Sequence, residues 1–167
     1  SSDVCSSDLS HANFAGGTWS NQIGTAADLS EAALEQACID IASFVNDRGL
    51  KIAVRPTKLV IPKELMFEAS RILKTEGRVG TDLNDLNAIK AMGMIPEVVV
   101  NHYLADSNND AWFILTDVKD GLKYFERRAD EFGMDEDFDT ENAKYKATAR
   151  YSFGWTDRRG VYGSPGA

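Results

Sequence analysis

Residues 145–155 alternate without a break. Tyr145, Ala147, Ala149, Tyr151, Phe153 and Trp155 interleave with Lys146, Thr148, Arg150, Ser152 and Gly154. Strict period two is the signature of a strand with one apolar face. At ~3.4 Å per residue the stretch spans roughly 37 Å. A compact globule of this chain length has a radius of gyration of only ~15 Å, so one strand crosses a whole molecule. A flat or elongated subunit fits that length better than a ball. Elongated subunits cover much of their surface with neighbours, which points toward an assembly component.

The rest of the chain reads as mixed helices and strands. Ser30 suits a helix N-cap, and Leu34, Cys38, Ile41 and Val45 recur at helical spacing, so a helix is predicted over 30–48 with Gly49 as its stop. Cys38 falls on the apolar stripe and reads as a small core residue. A strand is predicted over 57–61. A helix then opens at Pro62 and runs to about Thr75, and a shorter one is predicted over 82–92. Strands follow at 97–103 and 111–116. Asp120-Gly121 predicts a hairpin joining 111–116 to 122–127. Residues 131–141 read as an acidic loop. Residues 10–29 read as a loop that docks by its aromatics, and 160–167 as a Gly-rich tail that is either disordered or pinned on a partner.

Residues 1–9, Ser-Ser-Asp-Val-Cys-Ser-Ser-Asp-Leu, match no structural period and resemble the translated read-through of a sequencing adapter. On that expectation the chain is the C-terminal part of a longer protein, Cys38 is the only thiol, and the net charge of −8 becomes −6 without Asp3 and Asp8.

Composition narrows function further. A net charge of −8 argues against a general affinity for nucleic acid, which needs a basic face. No apolar run approaches the ~20 residues of a membrane helix. Two cysteines supply neither a disulfide framework nor a zinc cluster. There is no Walker loop and no Gly-x-Ser-x-Gly elbow. Gly77 to Thr81 could hold an anion but follows a helix rather than a strand. His11 and His102 have no ligand partners at metal spacing and read as structural. Asp135, Asp137, Asp139 and Glu141 alternate, but a calcium loop wants Gly sixth and Glu twelfth, where Thr140 and Lys146 stand. No catalytic, cofactor or metal site is therefore assigned. Arg127-Arg128 and Arg158-Arg159 are the adjacent arginine pairs; they fit a nucleic-acid face, ion pairs with acidic loops such as 135–141 on another copy, to which arginine is suited, or a solvated surface.

Several segments taken in order resemble the major capsid proteins of tailed bacteriophages, of the Hong Kong 97-type fold, including Mu-like prophage head subunits. They are Arg55 to Pro62, Ala69 to Leu73, Val98 to Leu104, Asp110 to Leu115 and, most specifically, Arg150 to Gly160. The resemblance implies an α+β fold, a partial Hong Kong 97-type capsid fold with an axial domain and the long β-ribbon of a peripheral domain. Residues 30–140 would be mainly axial, and 141–167 would hold the peripheral long strand and the tail. The N-terminal arm, extended loop and most of the spine helix have no counterpart.

The function it implies is structural, not enzymatic. Copies would form hexamers and pentamers of an icosahedral shell, with scaffold and portal proteins as further partners. DNA would be enclosed only as cargo, no membrane is involved, and the shell would assemble in the bacterial cytoplasm. The alternatives are an encapsulin-type compartment shell, a small monomeric binding module using the acidic loop, or a hydrolase using carboxylates such as Asp137 and Asp139. The expected lattice contacts are Trp155, Arg158, Arg159 and Tyr162.

Overall fold

The computed structural model describes residues 11–12, 18–77, 85–104, 109–136 and 143–166. The chain divides into a body, residues 1–121 with 157–167, and a ribbon, residues 122–156. The prefix 1–9 lies outside the described residues. The sequence division at 140/141 differs from this one: residues 122–136 join the ribbon, and the tail returns to the body.

In the body, β1 (His11–Ala12) pairs with β2 (Thr18–Trp19) where a loop is expected. Trp19 does dock by its ring, edge-on to Phe44 with centroids 5.0 Å apart. Helix α1 (Glu31–Ala42) begins as its sequence predicts: the Ser30 hydroxyl accepts the Ala33 N–H at 3.2 Å. Its buried stripe is Ala33, Leu34, Ala37, Cys38 and Ile41. It ends six residues before the expected stop at residue 48, because side chains compete for the backbone there. The Ser43 hydroxyl donates to the Ile39 carbonyl, and the Asn46 side chain accepts from the Arg48 and Leu50 N–H groups. Gly49, at φ 81°, serves that turn instead of the helix end.

Strand β3 (Pro56–Ile61) leads through a single 3-10 turn, Lys63–Leu65, into α2 (Met66–Lys74). Helix α3 (Ala88–Met92) starts later than the predicted Asp82, at an Asn87 cap. Residues 78–84, and with them most of the Gly77–Thr81 anion candidate, lie outside the described residues. Asn87 is nearly fully buried and saturated. Its amide donates to the Ile72 and Thr75 carbonyls at the end of α2, and its side-chain oxygen accepts the Lys90 N–H. One side chain thus closes one helix and opens the next.

Strands β4 (Glu97–Val100), β5 (Trp112–Thr116) and β8 (Val161–Ser164) complete a four-stranded mixed sheet in the order β4-β3-β5-β8. Strands β3 and β4 are parallel, and the other pairs are antiparallel. Leu59, Ile114 and Tyr162 stand in one cross-strand row, and with Leu34, Ile41, Ile61 and Trp112 they form the core. Fully burying such a side chain contributes about 2 kcal/mol.

Two expectations are corrected here. The tail folds into its own chain, because Val161–Ser164 is a strand of this sheet. Its glycine is a matter of space: a Cβ on Gly163 would sit 2.6 Å from the Phe113 ring and 2.7 Å from the Trp112 carbonyl. Segment 21–23 covers the outer edge of β8, with Ile23 N–H donating to Gly163 O and Gly163 N–H to Asn21 O, both at 3.1 Å. The Ser164 hydroxyl and the Trp112 indole N–H both donate to Ala27 O, anchoring the segment that leads into α1.

The second correction concerns Asp120-Gly121, which makes no hairpin between β5 and the next strand. Strand β5 already pairs on both edges, with β3 and β8. Asp120 does take a turn conformation, φ 68°. Gly121 is set by close approach, since a Cβ there would meet Gly160 Cα at 2.8 Å.

The ribbon is one antiparallel pair, β6 (Leu122–Glu136) and β7 (Ala143–Trp155). The acidic loop is therefore strand as far as Glu136, because Phe132 and Met134 continue the alternation begun by Leu122 and Tyr124. Residues 137–142, including Asp137, Asp139 and Glu141, lie outside the described residues.

Two outcomes follow for stability. Asn87→Ala should lower unfolding free energy by about 2 kcal/mol in urea titration, since the buried Ile72 carbonyl and the part-buried Thr75 carbonyl lose their donor and the Lys90 N–H its acceptor. Gly160→Ala should cost about 1–3 kcal/mol, because its Cβ would fall 2.5 Å from Gly121 Cα and backbone must shift.

Candidate assembly interface

The register of the ribbon sorts its side chains onto two faces. On one lie Leu122, Tyr124, Phe132 and Met134 of β6, with Tyr145, Ala147, Tyr151, Phe153 and Trp155 of β7, and with Glu126 and Glu136 as its charged members. On the other lie Lys123, Arg128, Glu131 and Asp135, with Lys144, Lys146, Thr148 and Arg150, and a single aromatic, Phe125.

Two bulges, between Glu126 and Arg128 and between Arg128 and Glu131, each add one residue to β6. One bulge alone would move every later side chain to the wrong face. Two restore the parity, so Tyr124 and Phe132 share the apolar face, and they increase the local twist. At the bulges Arg128 stands opposite Arg150, and Glu131 binds the Arg128 guanidinium. That carboxylate offsets a like-charge pair.

The apolar face is exposed along its length. Phe132 is 85% accessible, Tyr145 78% and Phe153 74%. Tyr124, Tyr151 and Phe153 touch one another, with centroids 5.4–5.7 Å apart. The eight large side chains on this face expose roughly 1,000 Å2 at 150–250 Å2 per aromatic. Soluble monomers rarely show contiguous apolar patches beyond a few hundred Å2. About 800 Å2 is what one partner contributes to a stable protein interface. The chemistry of this face is burial against protein.

The four expected contact residues fall into different settings. Trp155 is on the apolar face, opposite Leu122, and half-exposed. Arg158 donates to Asp47 at 3.1 Å and lies over the Trp19 ring, 5.1 Å from its centroid. Arg159 donates to Asp157 at 2.8 Å and to the Val45 carbonyl at 3.3 Å. Both arginines are largely buried within the body, where they tie the turn after α1 to the start of β8. Tyr162 is a core side chain, 2% exposed, whose hydroxyl donates to Asp40 at 2.5 Å. Burial and that carboxylate push its ionisation well above the ordinary tyrosine range.

Sequence reasoning read 122–127 as a strand but 131–141 as an acidic loop, and so missed Phe132 and Met134 and the continuation of the face begun by Leu122 and Tyr124. The signal was present as alternation with Lys123, Gly133 and Asp135, but the density of carboxylates favoured a loop.

Among the described residues, no three His, Cys, Asp or Glu side chains gather as a metal site would require. Cys38 is buried, and burial followed by the nearby Glu35 charge raises its thiol pKa, away from reactivity. His102 is an exposed turn residue. Among the described residues, no helix is long and apolar enough to cross a membrane.

A subunit whose largest feature is an uncovered apolar ribbon belongs to the class of assembly proteins. The comparison with protein families agrees: the family described as phage capsid protein matches residues 6–164, and the chain belongs to it. No curated protein matches the chain. Membership brings a structural role, self-assembly into a shell and a place in the virion capsid.

Asp157 supplies a test of the arginine anchor. Burial raises its pKa, but hydrogen bonds from the Arg159 side chain and backbone and the charges of Arg159 and Arg158 outweigh this, so the net shift is downward. A depressed carboxylate contributes stability above its unfolded pKa of about 4 and loses it as pH falls through the folded value. Thermal melts should therefore show wild-type stability falling below about pH 4. The fall should be shallower in Asp157→Asn, which is already less stable at pH 7.

Proposed function

We propose that this chain is the major head subunit of a tailed phage with a Hong Kong 97-type shell. Its copies form hexamers and pentamers of an icosahedral capsid in the host cytoplasm. Scaffold and portal proteins are further partners, and packaged DNA is cargo. The body serves as the axial domain and the ribbon as the arm of the peripheral domain. Trp155 is a lattice contact, while Arg158, Arg159 and Tyr162 hold firm the segment on which β8 rests.

The observation that carries this reading is the apolar ribbon face, which has the area of one side of a protein interface. The acidic balance supports it too. A net charge of −8 suits a container that encloses DNA without gripping it.

Sedimentation velocity and negative-stain microscopy of the expressed chain test the proposal. The expected result is concentration-dependent growth into large closed particles. Tyr151→Glu with Phe153→Glu should leave the protein monomeric, while the urea transition of the body moves by less than about 0.5 kcal/mol, as for surface substitutions. A wild-type chain that stays monomeric at all concentrations sinks the proposal.

A further inference from the structure

We infer that neighbouring copies join ribbon to ribbon along their strand edges, the β6 edge of one copy lying against the β7 edge of the next. The inference rests on the reading of the chain as a shell subunit and specifies which surfaces meet. A two-stranded ribbon has two outer edges, each a row of backbone donors and acceptors able to take another strand. Here the two edges carry opposite charge. Strand β7 holds Lys144, Lys146 and Arg150 and no carboxylate. The distal part of β6, residues 130–136, holds Asp130, Glu131, Asp135 and Glu136 and no cation.

This asymmetry selects the pairing. In parallel register, β7 against β7 would oppose three cations to three cations, and the distal stretches of β6 against each other four carboxylates to four. Like charges directly opposite in a sheet are destabilising. Strand β6 against β7 matches sign along the distal stretch with every residue at the height it already has in the ribbon. Geometry agrees, because β6 and β7 are antiparallel within the ribbon. A copy displaced sideways therefore presents its β7 antiparallel to the first copy's β6, at the same height and with the same face outward.

Glu131 and Asp135 then lie between two rows of cations, since they share a face with Lys144, Lys146 and Arg150. On the other face, Met134 meets a second Tyr145 and Tyr124 a second Phe153, extending the aromatic surface across copies. Strand β7 offers an unbroken edge of 13 residues without proline. The bulges of β6 divide its edge into two pairable stretches, 122–126 and 131–136. A contact between two different edges is heterologous and propagates around a ring.

Charge reversal tests this on the full chain. One variant carries Glu131→Lys and Asp135→Lys, the other Lys144→Glu and Lys146→Glu. Each alone should associate at least about tenfold more weakly than wild type at low salt, where exposed charges are least screened. An equimolar mixture should recover association, because the two variants then alternate. Two single variants that assemble as wild type does would overturn the edge pairing and leave the shell reading standing. So would folded variants, checked by circular dichroism, whose mixture does not recover. A monomeric wild type would overturn the shell reading itself. If the reversals fail to fold, Glu131→Gln with Asp135→Asn takes their place: weaker association with a flattened salt dependence supports the pairing, and unchanged association overturns it.

Discussion

A two-stranded sheet cannot cover its own faces. In a larger domain each sheet face lies under a helix or a second sheet, and the apolar side chains of alternate residues are removed from water. The pair β6–β7 has paired backbone between its strands but nothing of its own to lay over Tyr124, Phe132, Tyr145 or Phe153. Isolated two-stranded sheets are marginal in water, and the cost of exposing this face is offset only when a partner takes it. The long strand, the double bulge that keeps its faces in phase, and membership of a capsid family all follow from, or agree with, that requirement.

The body supplies the opposite condition, a closed and self-sufficient core. Its sheet buries Leu59, Ile114 and Tyr162 against α1, and its open β8 edge is capped by residues 21–23. Three buried side chains in it are answered: Asn87 by two carbonyls and an N–H, Ser164 and Trp112 by Ala27. Arg158 and Arg159 are engaged by Asp47, Trp19, Asp157 and Val45. Such residues read as interface candidates in sequence because arginine pairs and a terminal tyrosine are common there. In three dimensions they are the means by which the C-terminal segment is held to the body.

Local physical rules held where local forces decide. The Ser30 cap, the stripe of α1, strand β3 and the alternation of β7 were all legible, since each depends on neighbours within a few residues. The misreadings came where non-local contacts overrule. Asp120-Gly121 has hairpin chemistry, yet β5 is already flanked by β3 and β8. Gly160 and Gly163 look like a flexible tail, yet each is small because another backbone or ring passes within 3 Å of where a Cβ would be. Carboxylates at 131–141 suggested a loop, yet the partner strand holds 131–136 extended.

The amino-acid order by itself determined that this chain has one long, one-sidedly apolar strand and a capped amphipathic helix. Those features are periodic or compositional, and periodicity is written along the chain. Tertiary structure alone decided which strand pairs with which, that the tail is core, and that β6 doubles the apolar face. Strand pairing joins residues far apart in sequence through identical backbone groups, so the order of side chains carries little record of it.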